Sequence, residues 1–265
     1  MRFEPTANAF TQRANRPVLS NSKSRARDRH KKIKGFGNLA QASGRLQNGL
    51  KYEVIETSYN PSEQVAQTIP ILRRYIREDA DTFRKNGFAG RLRAQYPHAD
   101  PKEIAFREAK RRLRFATDQD TAARAFGPEG LSGSSDWVPI EVLQRPVDVV
   151  SGSDPGTPVD GDCDDYTMFV CAVSLALDPD SNVQMVCVPA DPSSPGVLSH
   201  IYASVDGVPV DASHGDFVGW EVPGEALTGP RQYFPVRGFG LFEIVAMSYF
   251  ALNAYNILKQ LRWIN

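Results

Sequence analysis

The sequence predicts an α+β fold in which helices pack on a small antiparallel sheet, and three observations point to it. Apolar side chains recur at helical spacing from Pro61 to about Arg84. A second, almost wholly apolar helical run spans Asp164 to Leu177. Three strand-like runs then follow closely, Val183 to Val188, His200 to Val205 and Val208 to Ala212. With 265 residues, the chain has room for one large domain or two modest ones. An apolar share of 41% and a charged share of 23% argue against global disorder and fibrous repeats.

In chain order, residues 1–50 form a basic arm. They include Arg13, Arg16, Lys23, Arg25, Arg27, Arg29, Lys31, Lys32 and Lys34, with few large apolar residues between them. Such a segment buries too little surface to offset its ordering entropy, so an extended or disordered arm is expected. Residues 51–135 read as a helical segment. Val65, Ile69, Leu72, Tyr75, Ile76 and Phe83 recur at steps of three, four and seven residues, which places them on one helix face. A second helix is expected after Asp100-Pro101, with Asp as cap and Pro in the first turn, carrying Ile104, Phe106, Ala109, Leu113 and Phe115. Its cluster Lys110, Arg111, Arg112 and Arg114 reads as a solvated face.

Residues 127–161 have the Gly, Pro, Ser and Asp content of a loop, interrupted by a short apolar stretch from Trp137 to Leu143. Within the candidate catalytic region, 136–235, the run from Asp164 to Leu177 is apolar around most of its circumference, as in a buried helix. The turn Asp206-Gly207 joins the last two strands. Residues 236–265 complete the chain as an apolar C-terminal helix. Its most apolar part, Leu241 to Leu258, is interrupted by Glu243, Ser248, Asn253 and Asn256. These favour packing against protein over crossing a membrane.

The formal net charge is zero, but residues 1–50 carry +9, residues 51–135 carry +3 and residues 136–265 carry −12. A basic arm on an acidic body suggests a contact with a polyanion or an acidic protein surface, or folding back on the body itself. The three cysteines form no disulfide framework and no CxxC pair, which points to reduced thiols. The N-terminus lacks the apolar run of a secretory signal. Asp160, Asp162 and Asp164 imitate the start of a calcium loop, but Asp165 stands where that loop needs Gly and Cys171 where it needs Glu. The GFG near residue 239 lacks the Lys and Ser/Thr of a phosphate loop. No metal and no cofactor is expected.

The chemistry centres on Gly161-Asp162-Cys163-Asp164-Asp165, where a Pro/Gly-rich loop becomes a helix. Free N–H groups and the dipole at a helix start favour a thiolate, while the flanking carboxylates oppose it. A nearby imidazolium is therefore required. Of His30, His98, His200 and His214, His200 is the best placed because it begins a strand that would hold its ring. Asp211, eleven residues later and beyond one hairpin turn, can orient that ring. Cys171 and Cys187 lie within apolar runs and read as packing residues, and His214 as a surface or capping residue.

The stretches LQRP, GDCDDYTMFVCAVSLAL and SHIYASVDGVPVDAS, with the trailing GW, resemble the transglutaminase-like superfamily of papain-fold cysteine hydrolases, especially its stand-alone bacteriophage versions. The resemblance covers about residues 60 to 225 and is dense from 136 to 221. It implies a papain-like core with Cys163 as nucleophile at a helix N-terminus, His200 as general base and acid, and Asp211 as the orienting residue on the sheet. It also implies an oxyanion site made by the Cys163 N–H and a second donor, for which Gln144 and Trp137 are candidates. One departure is LALDPDSN, which replaces the usual Leu-rich helix end followed by Gly.

The expected function is thiol-dependent hydrolysis of amide bonds in a peptide or protein substrate, ahead of cross-linking. The expected location is the cytoplasm of an infected bacterial host or the virion. The second reading is a structural or assembly protein of a phage particle that uses the domain as a scaffold. In it, residues 1–50 and 241–262 contact other virion proteins or copies of the chain. Nucleic acid is the alternative partner of the arm, and a membrane that of the C-terminal helix.

Overall fold

A computed structural model describes residues 30–32, 40–45, 51–56, 61–118, 120, 140–153 and 156–237. Trp137, the apolar stretch 241–258 and most of the basic arm lie outside them. Three strands open the described chain: β1 (His30–Lys32), β2 (Ala40–Arg45) and β3 (Lys51–Glu56). Helices α1 (Pro61–Lys85), α2 (Phe88–Gln95) and α3 (Pro101–Arg112) follow, then β4 (Leu113–Phe115), β5 (Ile140–Leu143), α4 (Pro146–Gly152) and β6 (Val159–Gly161). The last part comprises α5 (Cys163–Leu177), β7 (Val183–Val188), β8 (His200–Val205), β9 (Val208–Val210) and β10 (Gln232–Pro235). The fold is α+β.

Helix α5 is the axis of the molecule. Its residues from Cys163 to Ala176 are all buried, which accounts for its largely apolar sequence from Met168 onward. Helices α1 and α3 pack on it from the helical side and β8 from the other. Leu72, Ile76 and Phe83 of α1 meet Ile104 of α3 and Phe169 of α5 in one core cluster, with the Phe83 and Phe169 rings 6.5 Å apart.

Strands β10, β7, β8 and β9 form an antiparallel sheet in that order, with Val188 opposite His200 and Val183 opposite Val205. Strand β8 is buried on both faces. Ile201, Ala203 and Val205 belong to the main core, whereas Tyr202 packs in a second cluster with Val186, Val188, Ala190 and Val222. The β8–β9 turn has positive φ at both Asp206 and Gly207, as the Asp-Gly pair implies.

The structure departs from the sequence reading in several places. Residues 51–56, at the start of the segment read as helical, form β3, and the strand expected to reach Ala212 ends at Val210, so Asp211 follows β9 instead of lying on it. Helix α3 stops at Arg112 rather than reaching Phe115, because residues 113–115 run extended and pair in parallel with β6. The basic cluster at its end is not simply solvated: Arg111 and Arg112 donate to the fully buried Glu108 carboxylate at 2.6 and 3.0 Å. The loop region 127–161 contains β5, α4 and β6. Within the expected arm, β1 and β2 extend a second sheet in the order β1-β2-β3-β5. Ladder hydrogen bonds are made by the backbone, so a segment with few apolar side chains can still add an edge to a sheet.

Candidate active site

The motif Gly161 to Asp165 builds a capped helix start. The Asp162 carboxylate accepts from the N–H of Asp164 at 2.9 Å and from the N–H of Asp165, while Asp165 Oδ2 accepts from the N–H of Asp162 at 3.2 Å. This reciprocal capping box fixes the first turn, with Cys163 as its first helical residue. Gly161 is required by close approach, since a Cβ there would stand 2.9 Å from both Cβ and Oδ2 of Asp165.

Asp165 also ties the helix start to the end of β5, accepting from the Gln144 N–H at 2.7 Å. Burial, reinforced by the neighbouring Asp162 and Asp164 charges, pushes the Asp165 carboxyl well above the ordinary range despite these two N–H donors. Gln144 is fully buried, and its side-chain Nε2 donates to the Asp160 carbonyl. The bonds it makes brace the loop under the motif. Trp137, the other oxyanion candidate, is not among the described residues.

Cys163 is 6% exposed, and its Sγ lies 3.5 Å from Asp164 Oδ1. One helical turn further on, Thr167 donates from Oγ1 to the Ile201 carbonyl at 3.1 Å. Residues four apart share a helix face, so the face that carries Cys163 is the one anchored beside the residue after His200. Asp164 and His200 also line one cleft. These contacts bring the start of α5 to the start of β8.

His200 and Asp211 form a buried pair, with Nε2 and Oδ2 2.6 Å apart and exposures of 2% and 1%. The other carboxylate oxygen, Oδ1, accepts from the Ser213 N–H at 3.1 Å, the Ser213 hydroxyl at 2.8 Å and the His214 N–H at 3.1 Å. Burial alone would raise the Asp211 pKa. The His200 charge and hydrogen bond, the His214 charge and the Ser213 hydroxyl outweigh it and bring the carboxyl down to about 2. Asp211 is therefore an anion held to Nε2 of His200.

His214 is the residue the sequence reading undervalued. It is half-buried, not a surface group, and its ring stands edge-on to His200 with centroids 4.6 Å apart and planes at 78°. Phe115 packs 5.1 Å from its ring, and the Ser213 hydroxyl bonds its Nδ1 at 2.9 Å. Burial first, and then the His200 charge, lower the His214 pKa to about 4. Only the Asp-x-x-His spacing of an Asx-type turn hinted at this placement.

Of the other thiols, Cys171 is fully buried within α5 and desolvation pushes its pKa far up. Cys187 on β7 is buried and lines the cleft beside His200. Among the described residues, three groups place possible metal-ligand atoms within 4.8 Å of one another: His200, Asp211 and His214; Asp162, Cys163 and Asp164; and Asp118, Glu141 and Asp162. No described helix is long and apolar enough to cross a membrane. Comparisons with protein-family models, curated proteins and solved structures find no match.

Proposed function

We propose that this chain is a transglutaminase-like cysteine hydrolase that cleaves amide bonds in peptides or proteins through Cys163, His200 and Asp211. The observation that carries the reading is the buried 2.6 Å His200–Asp211 pair beside the helix start that bears Cys163. In this reading His200 Nδ1 takes the Cys163 proton, and the thiolate attacks the carbonyl carbon of the amide. The capping box commits the Asp164 and Asp165 N–H groups to Asp162, so the Cys163 N–H is the donor assigned to the oxyanion. The resulting imidazolium returns its proton to the leaving amine. Water, activated by the same ring, then releases the thioester as a carboxylic acid. The core is read as papain-like, with Asp211 following the strand next to that of His200.

The direction of the Asp165 shift is compatible with this assignment, since burial disfavours a further negative charge beside the thiolate. The test is alkylation of the native protein by iodoacetamide near neutral pH, with adducts mapped by mass spectrometry. Cys163 is expected to react ahead of Cys171 and Cys187. Equal reaction of all three would remove the activated nucleophile.

A further inference from the structure

Apart from His200, the residues lining the cleft at that ring have no role in the bond-breaking steps above. One wall is a face of α1 carrying Gln64, Val65, Thr68, Ile69 and Leu72, and the rest of the lining includes Glu141 on β5 and Asp164 on α5. Its free volume is about 20 Å³, room for one water-sized group. Glu141 and Asp164 are buried carboxyl residues, 1% and 4% exposed, and Gln64 donates from Nε2 to Glu141 Oε1. Independently of these acids, Thr68 is 5% exposed, and its Oγ1 has no hydrogen-bond partner among the described residues. A buried hydroxyl without a partner is costly and is usually satisfied by a ligand or a water.

We infer that this cleft is a substrate subsite for a primary ammonium group, so that the amide cleaved lies close to a lysine side chain or a free α-amino group. This rests on the hydrolase reading, because the cleft is defined by its place beside His200. An ammonium is water-sized, carries three N–H donors on one positive charge and accepts no hydrogen bond. Among the acceptor-bearing side chains of the cleft are Thr68, Glu141 and Asp164, and the two carboxyl groups can supply the opposite charge. A guanidinium is planar and larger, and needs a flat bidentate partner.

The experiment measures the rate of Cys163 alkylation by iodoacetamide in the full chain, with and without small ligands, as a ratio within each variant. The n-butylammonium ion is expected to slow alkylation saturably. Butylguanidinium should do so at least about tenfold more weakly, and tetramethylammonium, which has charge but no N–H, should not. Nα-acetyl-lysine amide presents only the side-chain ammonium and norleucine amide only the α-ammonium. Protection by the first places lysine in the cleft, and protection by the second places an amino terminus there.

Glu141→Gln is expected to weaken protection about tenfold, and Thr68→Val, which keeps the shape of the wall, to weaken it severalfold. Equal protection by tetramethylammonium, absence of protection by any ammonium, or protection unchanged in both variants would overturn the inference. Unliganded alkylation that does not single out Cys163 would instead count against the hydrolase reading. The two failures are therefore distinguishable.

Discussion

Replacing Asp211 with Asn removes the charge that holds His200 while keeping the side-chain shape, and the structure sets the size of the effect. The Asp211 carboxyl is displaced from 3.8 to about 2. At ~1.4 kcal/mol per pH unit, the folded state favours the anion by about 2 kcal/mol. The residue is almost fully buried, so solvent screening does not reduce that figure appreciably. Because the folded pKa is depressed, this stability is fully present above the unfolded value of about 3.9 and is lost as pH falls through about 2.

Asp211→Asn should therefore lower the unfolding free energy by about 2 kcal/mol at pH 7. The deficit should stay level down to about pH 5 and shrink below pH 4. Urea unfolding followed by tryptophan fluorescence, on wild type and variant from pH 7 to pH 3, measures it. A variant as stable as wild type at pH 7, or a deficit that grows in acid, would refute the reasoning.

Gly215→Ala should destabilise the chain by about 1–3 kcal/mol, since a Cβ there would stand 2.6 Å from the Asp211 carbonyl oxygen and 3.0 Å from Trp220. An unchanged melting temperature would show that the 211–215 turn yields more readily than its packing suggests. His214→Phe should flatten part of the acid dependence of stability. With a folded pKa of about 4 against an ordinary 6.5, His214 contributes stability that is present above 6.5 and lost as pH falls towards 4. Its charged neighbours His200, Asp211 and Lys110 remain in the variant, so a pH profile identical to wild type would assign that dependence to them.

What could be read from the sequence was whatever local patterns record. The starts of α1, α3 and α5 were legible because Pro61, Asp100-Pro101 and Asp162 are helix-start chemistry followed by helical apolar spacing. The β8–β9 hairpin was legible from Asp206-Gly207 and its flanking β-branched residues. His200 and Asp211 could be paired because eleven residues and one tight turn set two adjacent strands in register.

The parallel pair β4–β6 was not legible, because three-residue strands are too short to show a period and their partners are 46 positions apart. Strand β10 was missed for a related reason: Gln232–Pro235 alternates weakly and is fixed by pairing with β7, not by its own residues. The edge-on contact of His214 with His200 depends on the path of the 211–215 turn, which no spacing rule supplies. The burial of Glu108 under Arg111 and Arg112 was hidden because a basic run at a helix end looks solvated until its partner is seen.

The central claim is that His200 activates Cys163, and the rate of Cys163 alkylation as a function of pH tests it most directly. In wild type the rate should reach its plateau well below the free-thiol pKa of about 8.5, with the thiolate favoured by the helix start and the His200 imidazolium. In His200→Ala the plateau should move to or above that value, and Asp211→Asn should fall between the two. Superimposable profiles for wild type and His200→Ala would contradict the account, because Cys163 would then owe nothing to the imidazole across from its helix.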